Sequence, residues 1–342
     1  MMTSQGSIFS PARDATQRRP PVSAALAVVF ALLAASAIGA AAQDWPAKQP
    51  IRLVSPFPPG ATPDTLGRPV FELVSKAIGQ TYIFEHRPGA GGTIGMATVA
   101  RADPDGYTLL VNSSVHTITP VTYPNTKYDA LKDLAPIIPL AQFPNVLTVP
   151  MARYKTIQEL VAFGKANPGK LTYGSGGVGA ATHLNAERLR LSAGFEAVHV
   201  PFKGAPEALR EVIADRLDFY FSPLSSALPI IQGNEARGLA VSSLKRVASL
   251  PDLPTTLEAG YPDSEYIFWV GVFAPSGTPQ PIVDRLYREI AKALDDPSVK
   301  AAMARQGADP MPLDPKAFDA YLREEVKSIA KVVAAAGIKP VN

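Results

Sequence analysis

The feature that most constrains this chain is an alternation of strand and helix signals that runs through once and then restarts. Ile51 to Ser55 reads as a strand, and Pro56 to Ala61 as a loop. A helix then runs from Thr62 to Ile78 and stops at Gly79. Thr62 suits a cap, Pro63 fits the first turn, Asp64 complements the helix dipole, and Pro69 predicts a kink. Tyr82 to Glu85 is a second strand, Gly89 to Gly92 a loop, and a helix follows to about Arg101. Tyr107 to Val111 is a third strand, ending in Asn112-Ser113-Ser114. Helix Ile157 to Ala166, strand Leu171 to Tyr173, loop Gly174 to Gly179 and helix Ala180 to Leu191 restart the pattern. Strand Ala197 to Pro201, helix Ala205 to Ala214 and strand Asp218 to Phe221 carry it on. A short helix (227–232), a strand (238–241), a strand (266–273) and helices near 279–294, 297–306 and 315–336 complete the chain. Alternation of this kind specifies parallel sheets with helices on both faces, an α/β fold.

Two βαβ units predict two domains. Extended apolar stretches near Phe143 to Pro150 and Pro262 to Trp269 are the candidate crossings. If both cross, the first domain is discontinuous, 43–146 with 265–342, and the second is 147–264. Two crossing strands then form a hinge.

Residues 1–42 precede this pattern. They carry Arg13, Arg18 and Arg19, an uncharged apolar run from Ala24 to Ile38, and small residues at Ala40 and Ala42. This is the layout of a secretory signal cleaved near Ala42, which predicts a periplasmic location. Pro20-Pro21 after Arg18-Arg19 argues against twin-arginine export, and no cysteine is available for a lipid anchor. The net charge is +3; without residues 1–42, which hold three arginines and one aspartate, it is +1. No basic run suggests nucleic acid. The absence of cysteine excludes disulfides and thiolate chemistry.

The loops after strands carry the functional expectation. Ligands of open α/β sheets gather at the carboxyl ends of strands, where helix N-termini expose N–H groups that favour an anion. Loops 56–65 and 174–182 are the natural opposing jaws. Gly174-Ser175-Gly176-Gly177-Val178-Gly179 fits the dinucleotide fingerprint, but the next strand ends Val198-His199-Val200-Pro201 without the acid that reading requires. The expected ligand is therefore a small carboxylate, with Ser175 and Thr182 supplying hydroxyls. The expected pocket residues are Pro59, Gly60, Asp64, Ser113, His116, Ser175, Gly176, Thr182 and His183. Asp64 and Arg68, four apart, also suit a surface helix pair. His183 suits a cap or a packing role, and Trp269 either a core or a cleft wall. His86, His116, His183 and His199 make no metal-binding spacing, so no metal or cofactor is expected. Ser113 with His116 admits a secreted hydrolase, although no G-x-S-x-G elbow accompanies them.

At this point the residues resemble a known family, the tripartite tricarboxylate transporter receptors, or Bug-type solute-binding proteins. The resemblance rests on Trp45-Pro46, Phe57-Pro58-Pro59-Gly60, Asp64, Arg68, Arg87 to Gly92, Pro104 to Leu110, Tyr173-Gly174-Ser175-Gly176, His183-Leu184, Val200 to Gly204, Glu258-Ala259-Gly260, Ala274-Pro275 and Thr278-Pro279. It implies a two-domain clamshell of type II periplasmic-binding-protein fold, not an enzyme. It also implies a monomeric receptor that delivers a carboxylate to a two-component integral membrane permease. A sensory co-receptor presenting its ligand to a sensor kinase is the alternative that shares this fold. The family usually has a second glycine after Pro-Pro-Gly; here it is Ala61, which a left-handed backbone would strain.

Overall fold

The computed structural model describes residues 45–340, Lys203 excepted. The expected secretory signal lies outside the described residues. The first lobe opens with β1 (Ile51–Ser55), α1 (Thr62–Ile78), β2 (Tyr82–His86), α2 (Thr93–Ala100) and β3 (Thr108–Ser113). These match the expected order, and Gly79 ends α1 in a left-handed conformation. Two elements were not expected. A helix α3 (Val115–Thr122) follows β3 directly, and β4 (Leu134–Pro150) is a 17-residue strand of which only Phe143 to Pro150 was read as extended. Pro136, Pro139 and Pro144 lie within β4 and mask it, since proline marks strand ends or edges.

The second lobe holds α4 (Ile157–Ala166), β5 (Leu171–Ser175), α5 (Ala181–Ala193), β6 (Ala197–Pro201), α6 (Ala205–Ile213), β7 (Phe219–Pro223), α7 (Leu224–Gln232) and β8 (Ala236–Val241). Then β9 (Ile267–Pro275) returns to the first lobe, followed by α8 (Gln280–Leu294), α9 (Pro297–Ala304), β10 (Asp309–Pro310) and α10 (Pro315–Ala335).

One sheet runs through both lobes in the order β2-β1-β3-β9-β4-β7-β5-β6, with β10 and β8 pairing on β4. Strand β4 belongs to both halves. Its first part pairs antiparallel with β9, and its last part pairs antiparallel with β7 and β8.

Strand directions fix where the loops point. Strands β1, β2 and β3 are mutually parallel, and β3 and β4 each pair antiparallel with β9. They therefore run with β4, toward the second lobe. Strand β7 runs against β4, and β5 and β6 run with β7, toward the first lobe. The carboxyl ends of both parallel sets thus face each other. Ser113 ends β3 level with Ala141, through their shared partner Val270, and Pro223 ends β7 opposite Asn145. Four residues of extended chain separate these levels, about 13 Å.

Apolar clusters lie on both halves, around Val54, Trp269 and Phe318 in one and Leu160, Tyr173 and Phe219 in the other. Each such fully buried large side chain contributes roughly 1.5–3 kcal/mol. A third cluster joins the lobes: Ile118 of α3, Leu184 of α5, Tyr266, and Ile329 and Val333 of α10. Beside it, Arg188 of α5 donates to Ser328 of α10 at 2.8 Å. Glu325 of α10 accepts from Thr117 (2.8 Å) and from the Trp269 indole (2.9 Å). Trp269 is thus a core residue, with no exposed surface.

Candidate functional site

The first jaw is the loop after β1. Gly60 has φ +78°, a conformation that glycine adopts without strain, and the Ala61 amide closes a turn on the Pro58 carbonyl at 3.2 Å. Ala61 itself is extended (φ −67°, ψ 162°) and serves as the N-cap of α1. The departure from a second glycine therefore introduces no strain, and Thr62 is the first helical residue rather than the cap. The Asp64 and Thr65 amides return to the Ala61 carbonyl, and Pro63 has no N–H. The Thr62 amide, first in the helix, has no acceptor within it.

Asp64 braces this loop from below. Its carboxylate accepts the Gly60 amide at 2.9 Å and pairs with Arg68 at 2.8 Å, with His86 Nε2 at 3.5 Å. Arg68 in turn lies 4.7 Å over the Phe84 ring. Asp64 is buried although Arg68 is half exposed, so the i, i+4 pair is not a surface pair. Burial raises the Asp64 pKa, but the Gly60 amide, Arg68 and His86 outweigh it, and the net shift is downward. Pro59 and Gly60 stand exposed above this brace.

The second jaw is the loop after β5, and its brace is uncharged. The Gly176 amide donates to Thr182 Oγ1 at 2.9 Å, the Gly177 amide to Ser175 Oγ at 3.0 Å, and the Gly179 amide to His183 Nδ1 at 2.9 Å. Ala180 closes back on the Gly177 carbonyl at 3.1 Å. Gly177 and Gly179 take φ of +122° and +74°. The three side chains expected to reach a ligand thus turn toward their own loop. The Thr182 hydroxyl also interacts with the Tyr220 side chain, and the first-turn amides of α5 have no intrahelical acceptor.

A second layer lies beneath. Ser175 Oγ is 2.6 Å from His199 Nε2, and the His199 ring stacks on His183 at 3.8 Å, the planes 8° apart. Tyr173 stacks on His199 and bonds Glu187, which Arg190 grips with two nitrogens at 2.6–2.8 Å. Burial, with the neighbouring His199 and Arg190, pushes the His183 pKa down to about 3. Burial lowers that of His199 too, partly offset by Glu187.

Sequence reasoning missed His199 in this role. The signal was available: His199 lies two residues from the end of a strand beside β5, and the registry pairs it with Tyr173, two residues before Ser175.

Ser113 and His116 are placed differently. Both are enclosed in the first lobe with no exposed surface. Ser113 Oγ accepts the Val115 amide at 3.4 Å, at the start of α3. The His116 ring stacks on Phe273 at 3.9 Å, and neither of its nitrogens has a hydrogen-bond partner. Burial takes its pKa down to about 3, offset in part by the Ala130 backbone. The pair makes no Ser–His hydrogen bond of the sort an activated nucleophile needs.

Two α/β lobes joined by shared strands, with helix N-termini facing each other across the gap, define the clamshell class of binding proteins. The sequence profile described as tripartite tricarboxylate transporter family receptor matches residues 66–338, and the chain belongs to that family. BugT of Bordetella pertussis is 32% identical over 92% of this chain and 98% of its own. A protein encoded in the tcbD–tcbE intergenic region of Pseudomonas sp. is 39% identical over 76% of this chain and 78% of its own. Among solved structures, Rhodopseudomonas palustris Rpa4515 with adipate superposes with a TM-score of 0.76 at 32% identity, covering 87% of this chain and 100% of that one. MatC of the same organism, with bound malate, gives 0.72 at 28% identity, covering 84% and 99%. The fold is the two-domain α/β clamshell that the sequence predicts, and the family is one of solute-binding receptors. No helix among the described residues is long and apolar enough to cross a membrane.

Proposed function

We propose that this protein is a periplasmic receptor that closes its lobes on a small carboxylate and delivers it to a two-component integral membrane permease. The observation that carries this reading is the pair of opposed jaws, each a braced loop feeding a helix N-terminus. Closure brings both positive helix ends and their free amides onto one anion and strips its water, which strengthens the hydrogen bonds that replace it. Adipate and malate in relatives of the same fold support the ligand class.

The residues assigned to ligand contact are Pro59 and Gly60, the Thr62 amide, Gly176, the Thr182 hydroxyl and the first-turn amides of α5. Asp64, Ser175 and His183 shape the loops that hold these groups. The lobes are taken as 43–146 with 265–342 and as 147–264, and the receptor as a monomer after signal cleavage near Ala42.

The test is thermal melting of the purified protein against adipate, malate, citrate, acidic amino acids, nicotinate and terephthalate. A ligand at a hundredfold excess over its Kd stabilises the native state by about 2.7 kcal/mol. A clear rise with one class of acid is the expected result. No rise with any acid, from protein refolded to strip bound ligand, overturns the carboxylate reading.

A further inference from the structure

We infer that His183 is a positioning residue for the anion loop, a neutral acceptor that fixes Gly179 while the His199 ring stacks beneath it. The inference rests on the carboxylate-receptor reading above and adds a role within the same site.

Gly179 N–H can donate to His183 Nδ1 only if that nitrogen carries no proton. The imidazole must therefore be neutral, with its proton on Nε2. A protonated ring presents N–H to N–H, and the contact that closes the loop becomes a repulsion. Gly179 has little freedom to move away. Its φ is +74°, and a Cβ built on it meets Thr122 Cγ2 of α3 at 3.2 Å, so the loop lies close against the first lobe there.

The surroundings of His183 all disfavour a charge on it. His199 of β6 covers one face at 3.8 Å, and two charged rings at that spacing would repel. Tyr173 of β5 stacks at 5.9 Å from His183 and 5.0 Å from His199. On α5 itself the charged groups are Glu187 and Arg190, paired with each other, and Arg188, which donates to Ser328 of α10; Glu196 also acts on Arg190. The carboxylate nearest the rings is thus engaged by Arg190 and by the Tyr173 hydroxyl. His199 in turn holds Ser175, whose Oγ takes the Gly177 amide. Two consecutive turns of the anion loop therefore hang on one stacked pair of rings. The tight His183 stack distinguishes this from a generic buried histidine: the same pair sets both anchoring points of a loop at the ligand cleft.

Asparagine separates positioning from mere packing, because its Oδ1 falls where Nδ1 lies in histidine and does not titrate. Hydrogen exchange at the Gly179 amide, read by NMR on the ligand-free protein, is the primary measurement. His183→Asn keeps Gly179 protected, and His183→Ala exposes it, raising its exchange rate about fivefold to tenfold, the loss of one hydrogen bond. Adipate and malate binding follows the same order: within about twofold of native for the Asn variant, and fivefold to tenfold weaker for the Ala variant. Should His183→Ala not fold, acid titration decides. The native Gly179 amide then loses protection as the pH falls toward 3, and in His183→Asn it does not. Equal Gly179 protection in native and Ala proteins, or equal acid profiles in native and Asn proteins, overturns the inference. If neither acid binds the native protein while Gly179 follows the expected order, the positioning role stands and the carboxylate reading of these two ligands falls.

Discussion

The two jaws have the same design and opposite bracing. Each is a glycine-bearing loop at the carboxyl end of a parallel strand, leading into a helix. The first is braced by a charged side chain: Asp64 accepts the Gly60 amide and pairs with Arg68 and His86. The second is held by neutral groups: Thr182, Ser175 and His183 each take one amide. A charged brace is strong, and it puts a negative charge beneath a loop meant for an anion. Arg68 and the Gly60 amide balance that charge. A neutral brace adds no field of its own, so the helix end acts on the ligand undiminished. On the proposed carboxylate reading, the second jaw supplies most of the attraction and the first most of the shape.

The largest effect expected to test this is at Asp64. Asp64→Ala frees the Gly60 amide and leaves Arg68 unpaired, for a loss of about 2–3 kcal/mol in chemical unfolding. Asp64→Asn keeps an acceptor for Gly60 and loses less than half as much. Equal losses would mean that the charge, not the amide bond, holds the loop.

Glycine substitutions come next. Gly179→Ala adds a Cβ at φ +74° within 3.2 Å of Thr122, whereas Gly60→Ala adds one at φ +78° in open space. The left-handed backbone costs either variant about 1–2 kcal/mol, and Gly179→Ala exceeds Gly60→Ala in the melting shift because its neighbour must also move.

Smaller still is the difference on acidification. His183 has its pKa lowered from 6.5 to about 3, so its folded site disfavours the proton. The stability it contributes is complete above pH 6.5 and declines as pH falls from there toward 3. Asp64 is also shifted down, so its contribution is complete above its unfolded value of 3.8 and is lost only below it. The second jaw should therefore loosen first. Exchange at Gly179 and Gly60 amides along an acid series reads this, and simultaneous loss would remove the distinction.

The smallest effect is at Thr182. Thr182→Val removes the acceptor for Gly176 and costs about 1 kcal/mol, while Thr182→Ser restores it. Binding of adipate or malate that distinguishes Ser from Val places the hydroxyl in the site.

The sequence revealed the alternation, the lobe order, the jaw loops and most helix bounds, because each rests on local signals such as Gly79, Pro63 or the glycine loop. It hid the first half of β4, because Pro136 and Pro139 within it read as breaks. It also hid α3, which begins two residues after a strand without a punctuating residue. At the site, the residue types were legible but their directions were not. Ser175, Thr182 and His183 are at the expected jaw, yet whether a hydroxyl faces a ligand or its own loop depends on backbone turns that no spacing encodes. The His183–His199 stack depends on the pairing of β5 with β6, a contact between neighbours in space only.

The place of β9 in the sheet has a consequence for synthesis. The order β3-β9-β4 means that residues 267–275 fill the slot between two strands made much earlier. Until that segment of the 342-residue chain has left the ribosome, β3 and β4 have no partner on their facing edges. The first lobe is begun first and completed last, while the second, lying wholly between its two halves, can assemble in the interval. A nascent chain of this topology therefore carries an open, hydrogen-bond-hungry edge through nearly half of its production, the state in which a chaperone or an export channel has the longest time to engage it.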